Sequence, residues 1–314
     1  MRIAIFGAGA IGGYFGGRLA QAGEDVVFIA RGEHCQVMRT RGLRVDSIKG
    51  DFVLPSVYAT DDPAQVGFVD VIFVCVKAWQ MAEAMQAMRP MISPQTFVVP
   101  LENGVEAPSQ LAAELGKEHV LGGLCEIIAF IVEPGNICHV GADPFIRFGE
   151  LDNRLSERVE RLYQAFDRAS GLTAEIPPDI HVAMWQKFLF IAAFSGVGAV
   201  TRAPIGVLRS QSGTRQMLEQ AICEIYNVAK ARDIALSKNV IGNTMEFLDS
   251  LPPDATASMQ RDIMNGRPSE LEIQNGAVVR LGQEIGVETP VNNFIYHSLL
   301  PMEMSARGQL QFGE

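Results

Sequence analysis

Cysteine is scarce in this sequence, and no two cysteines form a C-x-x-C pair. The five cysteines are scattered and odd in number: Cys35, Cys75, Cys125, Cys138 and Cys223. This spacing fits neither a disulfide framework nor a zinc site. We therefore expect reduced thiols, no bound metal and a cytoplasmic location.

The chain also lacks an excess of positive charge. It carries 26 lysines and arginines against 36 aspartates and glutamates, which gives a formal net charge of −10 at pH 7. Such a balance argues against nucleic acid or an anionic membrane surface as a partner. If the protein binds an anionic small molecule, it must concentrate positive charge locally.

A third absence is a long apolar segment. The longest apolar stretch, 188–200, is too short to cross a bilayer and contains Ser195, Gly196 and Gly198, so it predicts a buried helix. Because a strand pattern already begins at Arg2, we also expect no signal peptide. The 314 residues are 48% hydrophobic and 20% charged, as in a soluble protein, and they leave room for two domains.

What the sequence does contain is a glycine-rich turn between a strand pattern at 2–6 and a helix pattern at 11–22. The turn consists of Gly7, Ala8, Gly9, Ala10, Ile11 and Gly12. In such a turn the first glycine permits the bend, the second lets a pyrophosphate approach the backbone, and the third allows close helix packing. A second strand pattern at 25–30 completes a βαβ unit. The alternative is a packing helix without a ligand, but this context favours a dinucleotide site.

The residue that follows the second strand indicates which dinucleotide is bound. An NAD site would carry an acidic residue there, whereas an arginine can accommodate the 2′-phosphate of NADP. The sequence has Arg31, and the next acidic residue, Glu33, comes two positions later. We therefore predict NADP, with an ordinary solvated arginine as the alternative.

Two further segments follow strand patterns. Lys77 and Trp79 come after a run of β-branched residues at 69–76, and Asn103 follows the strand pattern at 96–100. The carboxyl ends of strands in open α/β sheets line the ligand site, so these residues are candidates. For Lys77 the alternative is a cation at a helix start, and for Asn103 it is an Asn-Gly turn.

Beyond residue 115 the pattern changes from alternating helices and strands to short strands. Strand patterns at 120–124, 127–132, 137–140 and 145–148, with a turn at 134–136, predict antiparallel strands that extend the first sheet. His34, in a short helix pattern upstream, is expected at the surface.

Pro177-Pro178-Asp179 marks a boundary between two domains. We assign residues 1–177 to a Rossmann-type dinucleotide-binding domain and 178–314 to a second domain. No strand pattern follows the boundary, and the second domain is predicted to be all-helical, with helices at 180–193, 213–232, 240–250, 266–284 and 292–304. The fold class is thus α/β with a C-terminal helical domain.

An NADP-binding domain joined to a helical domain suggests hydride transfer to a carbonyl, which requires a proton donor. Lys187 lies among Trp185, Phe188 and Phe190. A poorly solvated lysine favours proton donation. The alternative is a lysine whose ammonium group reaches the surface.

Several of these segments together resemble one known family. The glycine turn at 7–12, Lys77-Ala78-Trp79, Asn103-Gly104, Trp185-Gln186-Lys187 and the stretch from Ser269 to Gly276 are similar, in this order, to segments of the ketopantoate reductases. The resemblance runs along essentially the whole chain. It implies an enzyme that uses NADPH to reduce 2-dehydropantoate to pantoate, a step of pantothenate biosynthesis.

The resemblance also implies roles for individual residues. Lys187 matches the general acid and Glu270 a glutamate that interacts with the reacting oxygen of the substrate. Ser258 matches a contact to the substrate carboxylate, and Asn103 an asparagine near nicotinamide and substrate. Lys77 matches a cofactor-contacting lysine, and Arg31 the anchor of the 2′-phosphate.

Three positions depart from the best-known members of the family. Ile191, Ser195 and Ala255 stand where those members have asparagines that line the substrate site; Ser195 remains a candidate for substrate binding. A site with fewer hydrogen-bonding groups favours a different or more apolar substrate. Two alternatives follow: a reductase of another, more apolar 2-oxo acid, and an NADP-binding sensor without turnover.

The helical domain could mediate a homodimer, although its apolar faces are equally explained by its own core.

Overall fold

The computed structural model describes residues 1–311. By their internal contacts the residues form two units. The first contains Met1–Glu102 and Ala107–Ile180, and the second contains Asn103–Glu106 together with the chain from His181 onward. The short segment Asn103–Glu106 therefore groups with the second unit, although the flanking sequence on both sides belongs to the first.

The first unit contains ten strands and five α-helices. The strands are β1 (Arg2–Phe6), β2 (Asp25–Ile29), β3 (Leu43–Ser47), β4 (Phe52–Leu54), β5 (Tyr58–Thr60), β6 (Val71–Val74), β7 (Phe97–Pro100), β8 (Leu121–Glu133), β9 (Asn136–Glu150) and β10 (Thr173–Glu175). The helices are α1 (Ala10–Gln21), α2 (Gly32–Arg41), α3 (Met81–Met88), α4 (Ala107–Leu115) and α5 (Glu157–Asp167). A further helix, α6 (Ile180–Thr201), begins at the last residue of this unit.

The central sheet is parallel and has the strand order β5-β2-β1-β6-β7. Its middle strands β1 and β6 are buried over nearly their whole length, which explains their continuous apolar sequence. The reversal of strand order at β1 brings the ends of β2, β1 and β6 next to one another. This doubly wound arrangement confirms the predicted Rossmann-type fold.

The strands after residue 120 do not extend this sheet, so the sequence-based expectation is wrong here. They form two long strands, β8 and β9, which pair antiparallel and belong to a second sheet of order β10-β9-β3-β4. An isolated bridge between Val98 and Val120 links this region to the first sheet. The local alternation indicates a hairpin, but the choice of β3 as its neighbour depends on residues about 90 positions away along the chain.

Helix α1 lies between the two sheets of the first unit. Its residues contact β1 and β2 on one side and β3, β8 and β9 on the other. Gly13 faces Ile137 so closely that a side chain at position 13 would overlap it, and a side chain at Gly16 would overlap Ile5 and Phe28. The glycine-rich sequence of α1 is therefore required for packing on both faces.

The second unit is helical, as predicted, and within its described residues no strand occurs. After α6 it contains α7 (Ile205–Ser210), α8 (Ser212–Ala231), α9 (Val240–Ser250), α10 (Ser258–Met264), α11 (Asn275–Ile285) and α12 (Pro290–Ala306). The helices enclose one apolar core that includes Phe188, Leu189, Ile222 and Leu271.

Helix α6 extends eight residues beyond the predicted end at Ala193. Its glycines do not break it because they accommodate neighbouring side chains: Gly196 lies against Asn275 and Ile295, and Gly198 against Gln260. Among residues 1–311, α6 is the one helix long and apolar enough to cross a membrane, but 72% of its most apolar stretch is buried inside the structure. Such burial is typical of the core helix of a soluble protein.

The predicted helix at 266–284 is wrong over its first half. The structure has no helix there until Asn275, where α11 begins. Pro268 disfavours helical backbone at Arg267. In addition, the backbone N–H of Ser269 donates to the side chain of Glu303 at 3.0 and 3.1 Å. This bond to a distant side chain replaces one within a helix.

Candidate active site

The glycine turn lies where β1 ends beside β2. The backbone N–H groups of Gly7 and Ala8 both donate to the carbonyl of Ile29, at 3.0 and 2.8 Å. Gly7 has φ +100°, a conformation that favours glycine, and a side chain there would meet the backbone of Cys75. A side chain at Gly12 would overlap the carbonyl of Gly7. These two glycines are therefore fixed by packing within the protein.

Gly9 has a different environment. A Cβ atom built on it meets no atom of the described residues within 4 Å, and its φ of −74° is open to any residue. It is the N-cap residue of α1, whose first turn contains no acidic side chain and no side-chain cap. Open space beside uncapped N–H groups at a helix N-terminus fits a pyrophosphate. The turn as observed is thus compatible with a dinucleotide along Gly7, Ala8, Gly9, Ala10, Ile11 and Gly12.

Arg31 follows β2 and is the N-cap residue of α2. Its guanidinium forms an ion pair with Glu83, with 2.6 Å between Nη2 and Oε1, and both side chains are exposed. Lys77 follows β6, on the other side of β1, and its Nζ lies 5.8 Å from the ring centre of Trp79. The structure therefore brings two cations to the ends of the strands that flank the glycine turn.

His34 is only partly exposed, which corrects the prediction of a surface residue. The side chain is half-buried, and its Nε2 lies 2.9 Å from the carbonyl oxygen of Ala8 in the glycine turn. Its Nδ1 accepts a hydrogen bond of 3.1 Å from the backbone N–H of Gly135 in the β8–β9 turn. The partners fix the tautomer, because a carbonyl can only accept and an N–H can only donate. His34 thus carries its proton on Nε2 and connects the two turns.

In the second unit, Asn103 and Glu270 lie in direct contact. The side-chain amide of Asn103 donates to Oε2 of Glu270 at 2.8 Å, and that of Gln274 approaches the same oxygen at 3.4 Å. Glu270 is 7% exposed. Two residues predicted from separate parts of the sequence are therefore brought together, and their contact orients the carboxylate.

The segment that carries Glu270 is held by a buried carboxylate. Glu303 on α12 accepts hydrogen bonds from the backbone and hydroxyl of Ser269, the latter at 2.5 Å. Arg307 in turn donates to Glu303 and to the carbonyl of Ser269. Sequence reasoning missed this support because Glu303 lies 34 residues from Ser269.

The remaining candidates lie on α6 and α10. Lys187 is half-buried on α6, with Ile191 and Ser195 one and two turns further along the same helix face. Ser195 is fully buried, and its hydroxyl has no hydrogen-bond partner among the described residues. Ser258 is the first residue of α10, preceded by the half-buried Ala255. In residues 1–311 no group of three potential metal ligands is close enough to hold a metal ion.

Comparison with known proteins identifies the family. Residues 3–153 match the family model "Ketopantoate reductase PanE/ApbA", and residues 179–303 match its C-terminal counterpart. The chain belongs to the ketopantoate reductase family. This confirms the predicted resemblance, and it makes the protein an oxidoreductase of the class that acts on CH–OH groups.

Curated relatives match this chain along nearly its whole length. An "Uncharacterized oxidoreductase" of Bacillus subtilis (strain 168) is 30% identical, over 95% of this chain and 98% of the relative. A 2-dehydropantoate 2-reductase of Nostoc sp. is 31% identical, over 95% of this chain and 94% of the relative. Members of the family reduce 2-oxo acids. The name of the Nostoc relative states a substrate, 2-dehydropantoate, whereas the name of the Bacillus relative states none.

Solved structures that are similar to this chain show the same fold. A 2-dehydropantoate 2-reductase from Geobacter metallireducens GS-15 is 29% identical, with a TM-score of 0.89 over 96% of this chain and 99% of that one. A D-mandelate dehydrogenase with NADH and anilino(oxo)acetate is 25% identical, with a TM-score of 0.87 over 98% and 99%. Ketopantoate reductases use NADPH, so the predicted cofactor is that of the family; the dehydrogenase structure contains NADH.

Proposed function

We propose that this protein reduces a 2-oxo acid with NADPH, and that the substrate is 2-dehydropantoate, which is converted to pantoate in pantothenate biosynthesis in the cytoplasm. The contact between Asn103 and Glu270 carries the proposal. It gives a buried carboxylate with a fixed direction, which is the arrangement needed to orient a substrate hydroxyl or a proton donor. Membership of the ketopantoate reductase family supports the reaction class.

We assign cofactor binding to the domain of residues 1–177 and catalysis to residues 178–314. Asn103 lies within the sequence of the first domain but contacts Glu270 of the second. The N–H groups of the turn that do not donate to Ile29, those from Gly9 to Gly12, would bind the pyrophosphate, and Arg31 would bind the 2′-phosphate. Lys77 provides a second cation near the cofactor, and Asn103 provides an amide near the nicotinamide. When bound, NADPH supplies the hydride that forms the new C–H bond at the carbonyl carbon.

Lys187 supplies the proton in this proposal. As the C=O electron pair moves onto oxygen, the lysine ammonium donates a proton to that oxygen, and the hydroxyl of the product forms. The neutral lysine then recovers a proton from solvent. Glu270 accepts a hydrogen bond from the hydroxyl of the product or from the ammonium of Lys187 and holds that group in position, and Ser258 donates to the substrate carboxylate. General acid catalysis of this type typically contributes about 10²–10⁴-fold to the rate.

The small number of hydrogen-bonding groups at positions 191, 195 and 255 favours a second class of substrate. Ile191 lies one helical turn from Lys187 and packs partly against the apolar core, where it offers no hydrogen bond to a substrate. Ala255 also offers none, and Ser195 offers a single buried hydroxyl. A branched or aromatic 2-oxo acid would fit this lining better than a hydroxylated one. The similarity to a D-mandelate dehydrogenase supports this second candidate.

The test is NADPH oxidation, followed by absorbance, with 2-dehydropantoate and a panel of branched and aromatic 2-oxo acids. We expect efficient turnover of 2-dehydropantoate and a loss of about 10²-fold or more in kcat for Lys187→Ala, with NADPH binding retained. Lys230→Ala, which removes an exposed lysine on α8, is the matched control and should keep full activity. Turnover restricted to apolar acids would select the second substrate class. NADPH binding without any turnover would indicate a sensor.

A further inference from the structure

The cation assigned to the 2′-phosphate already has an anionic partner in this protein. Arg31 and Glu83 form an ion pair at 2.6 Å, and their side chains are 60% and 62% exposed. Arg31 follows β2, and Glu83 lies in the first turn of α3, which follows β6. Since β2 and β6 are the two neighbours of β1, the pair lies across the end of the strand that leads into the glycine turn.

This position makes Glu83 a competitor for the phosphate. A phosphate monoester carries a charge of about −1.5 to −2 at pH 7 and binds arginine through its N–H groups. The carboxylate of Glu83 uses one of these N–H groups, and it would stand beside the incoming phosphate as a like charge. A cofactor without the 2′-phosphate has no such conflict. An exposed ion pair is weak, so the incoming 2′-phosphate can displace Glu83 from Arg31. Breaking the pair costs free energy when NADPH binds but not when NADH binds, because NADH has no 2′-phosphate.

We infer that Glu83 is a specificity-determining residue that lowers the preference of this protein for NADPH over NADH by competing for Arg31. The inference rests on the proposed placement of the cofactor. The inference goes further than the family's use of NADPH. It states that Glu83, on α3, helps to set how strongly the protein prefers NADPH over NADH. It also predicts that the two cofactors bind with more similar affinities than Arg31 alone would produce.

A double-mutant cycle tests the inference. The dissociation constants of NADPH and NADH are measured by nicotinamide fluorescence for the wild type, Glu83→Gln, Arg31→Gln and the double variant. We expect Glu83→Gln to tighten NADPH about threefold to tenfold and to change NADH less than about twofold. In the Arg31→Gln background the gain for NADPH should fall below about twofold. Glu114→Gln is the matched control, since Glu114 pairs with Arg89 in another exposed ion pair of the same unit.

Unchanged NADPH affinity in Glu83→Gln would overturn the inference, and so would weaker NADH binding, which would make Glu83 a ligand of the ribose. These results are distinct from failure of the proposed function. If Arg31→Gln leaves the ratio of the two affinities unchanged, the placement of the 2′-phosphate is wrong. If the wild type binds neither cofactor, the proposed function fails together with the inference.

Discussion

His34 shows how one residue can join two turns of the first unit. It is half-buried and bonded to both Ala8 and Gly135. Burial is the main reason that the pKa of His34 is lowered, and the hydrogen bond to Ala8 opposes it. The folded protein therefore binds this proton at lower pH than the unfolded chain, in which histidine titrates near about pH 6.5. The resulting stability is complete above about pH 6.5 and is lost as the pH falls through the folded-state pKa.

We predict that His34→Gln removes this pH dependence. In urea unfolding between pH 5 and 7.5, the free energy of unfolding of the wild type should fall more steeply with acid than that of the variant. At pH 7.5 the variant should be less stable by about 1–3 kcal/mol, because two partly buried hydrogen bonds are lost or weakened. His297→Gln alters an exposed histidine on α12 and should retain the wild-type slope. Parallel slopes for wild type and His34→Gln would contradict the prediction.

Single residues differ in how far sequence predicts their role. Gly7, Arg31 and Lys77 follow strand patterns directly, and their placement at strand ends could be deduced from local sequence. The partners of His34 lie 26 and 101 residues away, and Arg31 meets Glu83 at a separation of 52. Such contacts depend on how strands are ordered in the sheet, which local patterns do not reveal. The types of residue in the site could therefore be predicted from the sequence, but the long-range contacts that these residues make could not.

At the scale of elements, the glycines of the turn into α1 separate into two kinds. Gly12 is enclosed by the carbonyl of Gly7 and by Cγ2 of Ile5, which would lie only 2.7 Å from a Cβ atom at position 12. No described atom lies within 4 Å of the corresponding position at Gly9. An added methyl group would therefore strain the protein at position 12, whereas at position 9 it would project into the space assigned to the pyrophosphate.

We predict opposite effects of alanine at these two glycines. Gly12→Ala should destabilise the protein by about 1–3 kcal/mol or more through overpacking. Gly9→Ala should cost about 1 kcal/mol or less, from the weaker N-cap, and should reduce NADPH affinity about tenfold or more. Thermal unfolding without ligand and NADPH titration measure the two effects separately. Gly213→Ala, in open space on α8, is the control and should alter neither adversely. Wild-type NADPH affinity in Gly9→Ala would move the cofactor away from this turn.

Sequence predicts elements well where their apolar period is long and their ends carry local signals. The strand at Arg2–Phe6 and the helix at Val240–Ser250 agree with the sequence pattern. The prediction fails where packing overrides local signals. Helix α6 continues through glycines because other side chains fill the space beside them, and α11 begins late because Glu303 binds the backbone at Ser269. In both cases the decisive partner lies far away in sequence.

At the scale of the whole molecule, the sequence predicts two parts, one α/β and one helical, and the structure has this composition. The change from alternating strand and helix patterns to helix patterns alone extends over long segments. Errors at the boundaries of single elements therefore do not affect the prediction of two parts. The arrangement of the second sheet depends on non-local pairing, which local patterns miss. Charge behaves in the same way: the net charge of −10 is read directly from composition, whereas the ion pair between Arg31 and Glu83 emerges only from the fold.

The cysteines provide a prediction for the entire chain. All five are free in the structure; Cys35 and Cys125 are buried, and Cys75, Cys138 and Cys223 are partly exposed. Burial raises the pKa of the Cys75 thiol well above its usual range, and nearby negative charge adds to this. Burial, followed by Glu219 and Glu224, raises the pKa of Cys223. Because the thiolate is the reactive form, both should be slow nucleophiles near neutral pH.

We therefore expect the native protein to react slowly with a disulfide reagent such as dithionitrobenzoate at pH 7.5, with Cys75 and Cys223 modified later than a free thiol. After denaturation without reductant, all five thiols should react, because none is held in a disulfide. Mass spectrometry of alkylated peptides assigns the order of modification. A count of three thiols in the denatured chain would reveal a disulfide and contradict the reduced state inferred from cysteine spacing. Rapid modification of native Cys75 would instead show that its thiol is more accessible than the packing around Gly12 allows.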